Sequence, residues 1–592
     1  MTSIAPPTIP WQLTGNHWLA LPCIHPASGA IHAVGVLHRG ARAAVEFAGA
    51  ADFVQGAGPA LLRPAVRVNG EEKQLATEGI AWERALEWLP TFTCKIGDLV
   101  LRGTVFAPFG RDADIAGAVY VIAVENRGNR SHAVDIALDG VLGHRQQRVR
   151  TARTYDDAHR AAVEGGVVML EGAALPGVVA LAVAADGDAT IELHDGAIPR
   201  FSLSCARTVE PGARVEVAFY LGAGPERDGA NATMRMLRRR GWRALLAATR
   251  DALAAMEQST GSDAIDRVVM RHLTFAYFYG VGRALDDAHF YVVRSRAPWN
   301  GRGVTVRDWE ALMWTLPAVQ LADPLLGREL LLRICEVHGY APGQGTHYLD
   351  GTLFEPGFLL EGIAAYPIAI DRYIRDTADD HVVDEPVITD ALYGAQDDLR
   401  ARRDESVPLY ATDVTLGGET ATHPYTLHGN ATVALALEVL RRTLDEEAAK
   451  EVADPDAVRA AVRRHLVTEK GGKPSFASAT DLAGHTTAAD DPNASALWLP
   501  LYELATRDES IYRRTVKGLG ATPRFLVEQC ARLIGPESAQ AQQWLREAPM
   551  DHGRAAEEVD AEGRAIGNGG DAALSGLVAY ALWYARHAYG AR

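Results

Sequence analysis

The chain is short of everything that would mark it as a membrane, nucleic-acid or redox protein. Its 592 residues hold five cysteines, Cys23, Cys94, Cys205, Cys335 and Cys530, scattered and without a CxxC pair. Buried free thiols in a reducing compartment are therefore expected rather than a disulfide framework or a cysteine metal site. No run of about 18 apolar residues is present to span a bilayer. The opening MTSIAPPTIPWQLTG has no basic segment followed by an apolar stretch, so a cytoplasmic location is expected. A formal net charge of -16 argues against nucleic acid, whose phosphates want a basic face. Also missing are HxxxH, HExxH and DxDxDG spacings, a GxxxxGK[ST] loop and a GxSxG elbow. No metal and no cofactor are expected on that ground.

What is present falls into two textures. Residues 1–225 carry short runs rich in Val, Ile and Ala, at 116–128, 131–141, 177–185 and 213–224, between Gly, Asn, Asp and Pro clusters. Such runs predict an antiparallel β-sandwich. Apolar spacing of three and four over 232–260 predicts a linker helix within 226–261, and helical pattern dominates 262–592. Twelve helices are expected near 263–283, 307–321, 325–338, 356–376, 384–402, 427–444, 453–466, 493–506, 508–516, 522–534, 536–547 and 570–589. The connections alternate: short ones such as 322–325 and 507–509, then long ones at 284–306, 339–355, 403–426, 467–492 and 548–569. Loops that long in a compact domain are usually functional, and here they share one phase of the cycle. Twelve helices paired in this way predict an (α/α)6 barrel with its long loops on one rim.

Three stretches carry a family resemblance. APWNGRGVTVRDWEALMWTLPAVQLADPLLGRELL (297–331), LYATDVTLGGETATHPYTLHGNATVALALEVL (409–440) and AAEEVDAEGRAIGNGGDAALSGLVAYALWYA (555–585) resemble loop-and-helix segments of the six-hairpin glycosidases. The layout of β-sandwich (supersandwich-like), linker and barrel is similar to bacterial glucoamylases and disaccharide phosphorylases, and the barrel alone to trehalases and processing glucosidases. The resemblance implies an inverting, exo-acting glycoside hydrolase, with α-glucosidic substrates the best expectation. Its partner would be an oligosaccharide or glycoside, with a homodimer left open.

Inversion needs two carboxyl groups on opposite faces of the sugar, one protonating the leaving oxygen and one activating water. The resemblance places the acid in the third long loop, where Asp413 and then Glu419 are the candidates. The Trp-Asp signatures of trehalases and processing glucosidases are absent there, so both stay open. The base falls among Glu557, Glu558, Asp560 and Glu562 in the last loop, Glu558 first, ahead of a Gly-Asn-Gly-Gly turn. Turn capping and a solvated acidic run are the plainer readings of these carboxylates. Substrate contacts are expected from Trp299, whose flat face suits a sugar ring, and from Arg307 and Asp308. Glu355, His347, Asp350, His423 and Asp491 complete the binding set, although Glu355 and Asp491 also suit helix starts beside Pro356 and Pro492. Arg294, Arg296 and Arg302 give the first loop a basic density that would serve an anion. That density keeps a phosphorylase as the runner-up, ahead of a polysaccharide lyase and a catalytically silent carbohydrate-binding protein.

Overall fold

The computed structural model describes residues 7–49, 57–155, 159–172, 179–194, 196–470, 472–487, 492–519, 524–534 and 538–589. The chain forms two compact units, Met1–Glu257 with Phe278–Val304, and Gln258–Tyr277 with Thr305–Arg592. Among the described residues no helix is long and apolar enough to cross a membrane.

The first unit is antiparallel β. The four Val/Ile/Ala runs become Gly117–Asn126, His132–Val141, Ala180–Ala185 and Arg214–Gly224. Gly117–Asn126 and Arg214–Gly224 sit side by side within an eight-stranded sheet, in register from Gly117 opposite Gly222 to Glu125 opposite Arg214. His132–Val141 is central to a five-stranded sheet. Ile31 bridges both Ile24 and Leu62, joining that sheet to a six-stranded one. Leu101, Ile122 and Val183 from the eight-stranded sheet share one apolar core with Val34, Val45, Val66 and Ile136. Each such side chain, fully buried, contributes about 1.5–3 kcal/mol. The core also surrounds a buried ion pair, Glu46 with Arg148 at 2.9 Å, in which Gln146 satisfies the second carboxylate oxygen at 2.7 Å. The pattern over 232–260 resolves into two helices, Arg227–Arg240 and Trp242–Ala255, rather than one. Gly241 breaks them by taking φ 78°, a left-handed value that glycine adopts without a Cβ clash.

The second unit is helical, and its helices fall close to the expected positions. Inner elements are Asp308–Glu310 continuing through Leu316–Ala322, then Leu360–Thr377, Leu427–Thr443, the turn Ala496–Trp498, Leu526–Ile534 and Ala572–Tyr589. Each packs on the next, and the last packs on the first, so among the described residues these six close a ring. Outer helices Pro324–His338, Pro386–Arg402, Pro455–His465, Ser510–Lys517 and Ser538–Glu547 lie against the inner element that precedes each of them. Asp263–Tyr279 is tied to the last inner helix by His272, whose Nδ1 lies 3.3 Å from Ser575 Oγ.

Side-chain caps explain several of the starts. Asp323 accepts from the amides of Leu325 and Leu326, Thr426 from Gly429, and Asp571 from Leu574 at 2.9 Å. One expected helix is absent. Residues 493–506 form only the 3-10 turns Pro492–Ala494 and Ala496–Trp498. Pro500 contributes to this, because it has no N–H to donate to the carbonyls behind it.

The first inner helix is irregular as well. Ala311–Thr315 is a π turn leading into Pro317, which cannot donate to the carbonyls behind it. The Leu312 carbonyl accepts instead from the Arg372 guanidinium at 2.7 Å. Gly576 of the last helix lies against this turn so closely that a Cβ would stand 2.5 Å from the Trp314 carbonyl oxygen.

His272 makes this ring sensitive to acid. Burial pushes its imidazole pKa down to about 3. Between about pH 6.5 and that value the unfolded chain binds a proton that the folded chain does not, so stability falls as the pH drops through the window. The loss is about 1.4 kcal/mol per pH unit for one such group. Denaturant unfolding measured from pH 7 to pH 4 is expected to show this slope, and His272→Asn to make it shallower.

Candidate active site and the cavity of the helical ring

The sequence of the third long loop is drawn over the start of the first inner helix. Asp413 and Val414 donate their amides to the Phe358 carbonyl at 2.9 and 3.1 Å, and Thr412 Oγ1 bonds the same oxygen. Arg307, at the head of the first inner helix, is buried and donates from Nη1 to the Leu416 carbonyl at 2.9 Å, with Glu310 at 3.6 Å. Those bonds commit the guanidinium to holding the loop. The loop tip, Gly417–Gly418, lies beside Asn493 and the Arg307 guanidinium, and Gly418 takes φ 90°, a left-handed value that glycine adopts without a Cβ clash.

On this loop Asp413 is 57% exposed and ion-paired to Arg402 at 3.2 Å, while Arg402 stacks over the Phe358 ring at 3.6 Å. Glu419 is exposed in the turn closed by the Val414–Thr420 bridge, with its amide on Thr415 Oγ1. In the last loop Glu558 pairs with Arg524 at 2.9 Å, and Glu557 accepts from Asn568 Nδ2 at 2.7 Å. Both belong to a loop closed by the ribbon Glu558–Val559 with Ala565–Gly567. The two loops lead into the N-terminal ends of Leu427–Thr443 and Ala572–Tyr589, which are members of the same ring.

Several expected contact residues are buried. Asp308 opens the first inner helix but accepts from the Gly343 amide at 2.7 Å and the Tyr366 hydroxyl at 3.0 Å. Burial raises its pKa, against the opposing effect of these donors and of His347. His347 is buried beside His338, ring centroids 5.5 Å apart, and burial pushes His338 down to about 3. Asp350 accepts from the Thr352 amide at 3.1 Å, Glu355 lies in the ribbon Leu353–Pro356, and His423 is half-buried before Pro424. Asp491 lies outside the described residues. In the first unit Trp299 is buried at 1% exposure, which leaves no open face there for a sugar ring. Arg296, read from the sequence as part of an anion site, donates to the carbonyls of Asn16, His17, Trp18, Gly35 and Phe278. Burial lowers its pKa to about 10, and the five carbonyls account for its cluster of donors.

The sequence reading missed a buried polar chain inside the ring. Glu361 Oε1 lies 2.9 Å from His428 Nδ1, and His428 Nε2 lies 3.2 Å from the Tyr502 hydroxyl. Trp309 meets both rings edge-on, at 5.5 and 6.4 Å. Trp309, His428 and Tyr502 are the inner end of a cavity of about 340 Å³ that continues past Trp314 and Tyr580 to Arg375, Arg442 and Glu503. A volume of this size fits a small ligand. Asp371 pairs with both arginines, at 3.0 Å from Arg375 and in contact with Arg442. Burial raises the pKa of Asp376 on the same wall. The i, i+1 placement of Leu360 and Glu361 within a helix start was the only signal for Glu361, and it does not distinguish a cap from a buried ion pair.

No family model matches the sequence, and no curated protein does. Solved structures do. The chain superposes on a bacterial glucoamylase complexed with acarbose at a TM-score of 0.60 and 10% identity, covering 99% of this chain and 96% of that one. It superposes on a human-microbiome protein assigned as a kojibiose phosphorylase at a TM-score of 0.56 and 11% identity, covering 97% and 86%. The chain therefore has the six-hairpin glycosidase-type fold with an N-terminal β domain.

The buried chain sets an energetic contrast with the rim. Replacing His428 with Phe strands the Glu361 carboxylate, whose Oε2 already lacks a partner, and is expected to cost about 3–5 kcal/mol. Arg402→Ala removes an exposed pair and is expected to cost about 1 kcal/mol or less. Urea unfolding of the two variants checks the difference.

Proposed function

We propose that the protein is an exo-acting, inverting glycoside hydrolase built on an (α/α)6 barrel, acting on short oligosaccharides of glucosidic type. The observation that carries the reading is the arrival of two acidic long loops at N-terminal ends of one closed helical ring, on a fold shared with a glucoamylase and a disaccharide phosphorylase.

The two loops divide the roles. A general acid must hold a proton at working pH, whereas a general base must be ionised. Asp413, with Glu419 as the alternative on the same loop, is the proton donor to the leaving oxygen, and Glu558, paired with Arg524, is the base that draws a proton from water. The attacking water sits between them, which for inversion needs carboxyl groups about 6.5–9.5 Å apart. Glu557 positions the last loop through Asn568.

Arg296, counted toward an anion site, is spent on backbone carbonyls, which weighs against phosphorolysis.

Asp413→Asn and Glu558→Gln are each expected to lower kcat about 10²–10⁴-fold on the best oligosaccharide found in a reducing-sugar screen. A loss of that size with Glu419→Gln and not with Asp413→Asn moves the acid to Glu419. Retention of most turnover by both Asp413→Asn and Glu558→Gln removes the catalytic assignment. A sugar phosphate appearing when inorganic phosphate is added removes the hydrolase reading.

A further inference from the structure

Asp308, His338 and His347 bring one donor atom each to within 4.8 Å of one another, all three side chains being buried. They come from three different elements: the head of the first inner helix, the last turn of Pro324–His338, and the ribbon strand Gly345–His347. The scaffold beneath them is tightly bonded. Val306 and His347 exchange backbone hydrogen bonds at 2.9 and 2.8 Å, which fixes the ribbon two residues before Asp308.

The polar accounting at this place does not close with protein atoms. Nδ1 of His338 and Nδ1 of His347 are buried with no hydrogen-bond partner. Buried polar nitrogens are nearly always satisfied, and two orphans within one three-residue cluster need a common explanation. Asp308 receives one donor on each oxygen, from Gly343 and from Tyr366, and a carboxylate has about four acceptor positions in all. Lone pairs therefore remain on both oxygens. The Gly343 amide and the Tyr366 hydroxyl hold the carboxylate as outer partners hold a metal-ligating group.

We propose that Asp308, His338 and His347 form a buried binding site for a first-row divalent transition metal, zinc being the type ion, that locks the first helical hairpin to its loop. Two imidazoles and one carboxylate favour such an ion over magnesium or calcium, which take oxygen donors. Metal–nitrogen bonds of about 2.0–2.1 Å put tetrahedral ligands about 3.3 Å apart, so the donors close in by about 1.5 Å at most on loading. Imidazole rotation and a carboxylate swing cover that distance. The role is structural, because none of the three residues lines the ring's cavity and the neighbouring Trp309 does. The ion would fix the helix turn from which Trp309 projects. This site is independent of the hydrolase assignment, and its test reads metal and not turnover.

A buried site loads as the chain folds, so the untagged full-length protein is produced in cells grown with added zinc, and separately in minimal medium with cobalt. Metal analysis after gel filtration is expected to give about one equivalent of zinc, and the cobalt form to show visible d–d absorption. His338→Ala with His347→Ala is expected to lose at least about nine-tenths of the bound metal. Should that variant not fold, chelator-stripped wild-type protein titrated with cobalt alone supplies the same readout, the absorption returning together with a rise in Tm. Less than about a tenth of an equivalent in both preparations, with no cobalt band on titration, overturns the proposal. So does equal metal content in the wild type and the double variant.

Discussion

The helical unit depends on one closure, the contact between its last inner helix and its first. Ala572–Tyr589 must reach back across more than two hundred residues to the π turn at Ala311–Thr315, and it does so at Gly576. Any side chain there would drive into the Trp314 carbonyl. The same turn is where Pro317 withholds an amide and Arg372 supplies the missing donor to Leu312. Bringing the ends of a long chain together costs entropy that grows slowly with length, so close packing at the seam has to repay it. His272 on Ser575 and the buried Asp571 cap are part of that repayment.

Closing the ring has an electrostatic consequence. The starts of the inner helices carry carboxylates: Asp308 at the head of the first, Glu361 in the first turn of the second, and Asp571 capping the last. Helix N-termini carry partial positive charge, and each of these acids is placed where that charge is greatest. Within the ring the demand is met by buried groups with fixed partners, His428 for Glu361 and Tyr366 with Gly343 for Asp308. Carboxylates on the loops above, Asp413 and Glu558, meet arginines instead. An acidic residue at this end of the ring is thus the ordinary condition, and the presence or absence of a cation beside it decides what chemistry it can do.

Period and punctuation in the sequence were sufficient for the fold's elements. Strands of Val and Ile between Gly and Pro clusters, and apolar spacing of three and four, are local properties of the chain, and Gly117–Asn126 and Leu427–Thr443 were legible on that basis. Local patterns misled in two places: Gly241 splits the linker helix, and the stretch 493–506 forms short 3-10 turns around Pro492 and Pro500 where a helix was expected. Site residues were less legible because their state depends on partners distant in sequence. Trp299 looks like an exposed stacking face until burial closes it, and Arg296 looks like an anion ligand until the carbonyls from Asn16 to Gly35 occupy it. The Asp308, His338 and His347 donors are separated by 30 and 9 residues, a spacing that no helix or turn geometry makes periodic.

The cavity of the ring and the acidic loops are separate features, since none of the loop carboxylates lines the cavity. Aromatic rings at Trp309, Trp314 and Tyr580 give the ring interior apolar walls, and those walls stand on helices whose positions the closure fixes. The loops carry acidic groups and are each anchored at several points, the third on Phe358 and Arg307 and the last on Arg524, Asn568 and its own ribbon. Rigid walls suit the recognition of a stiff, hydroxyl-rich ring, because little entropy is lost on either side when they meet. Anchored but solvent-facing loops suit proton transfer, which needs a carboxylate to gain and lose charge without unfolding its support. A fold that separates these two demands, one in the helices and one in the loops, can change its substrate and its chemistry independently. On the proposed reading the loop carboxylates carry the activity, and the closure of the ring beneath them carries the stability.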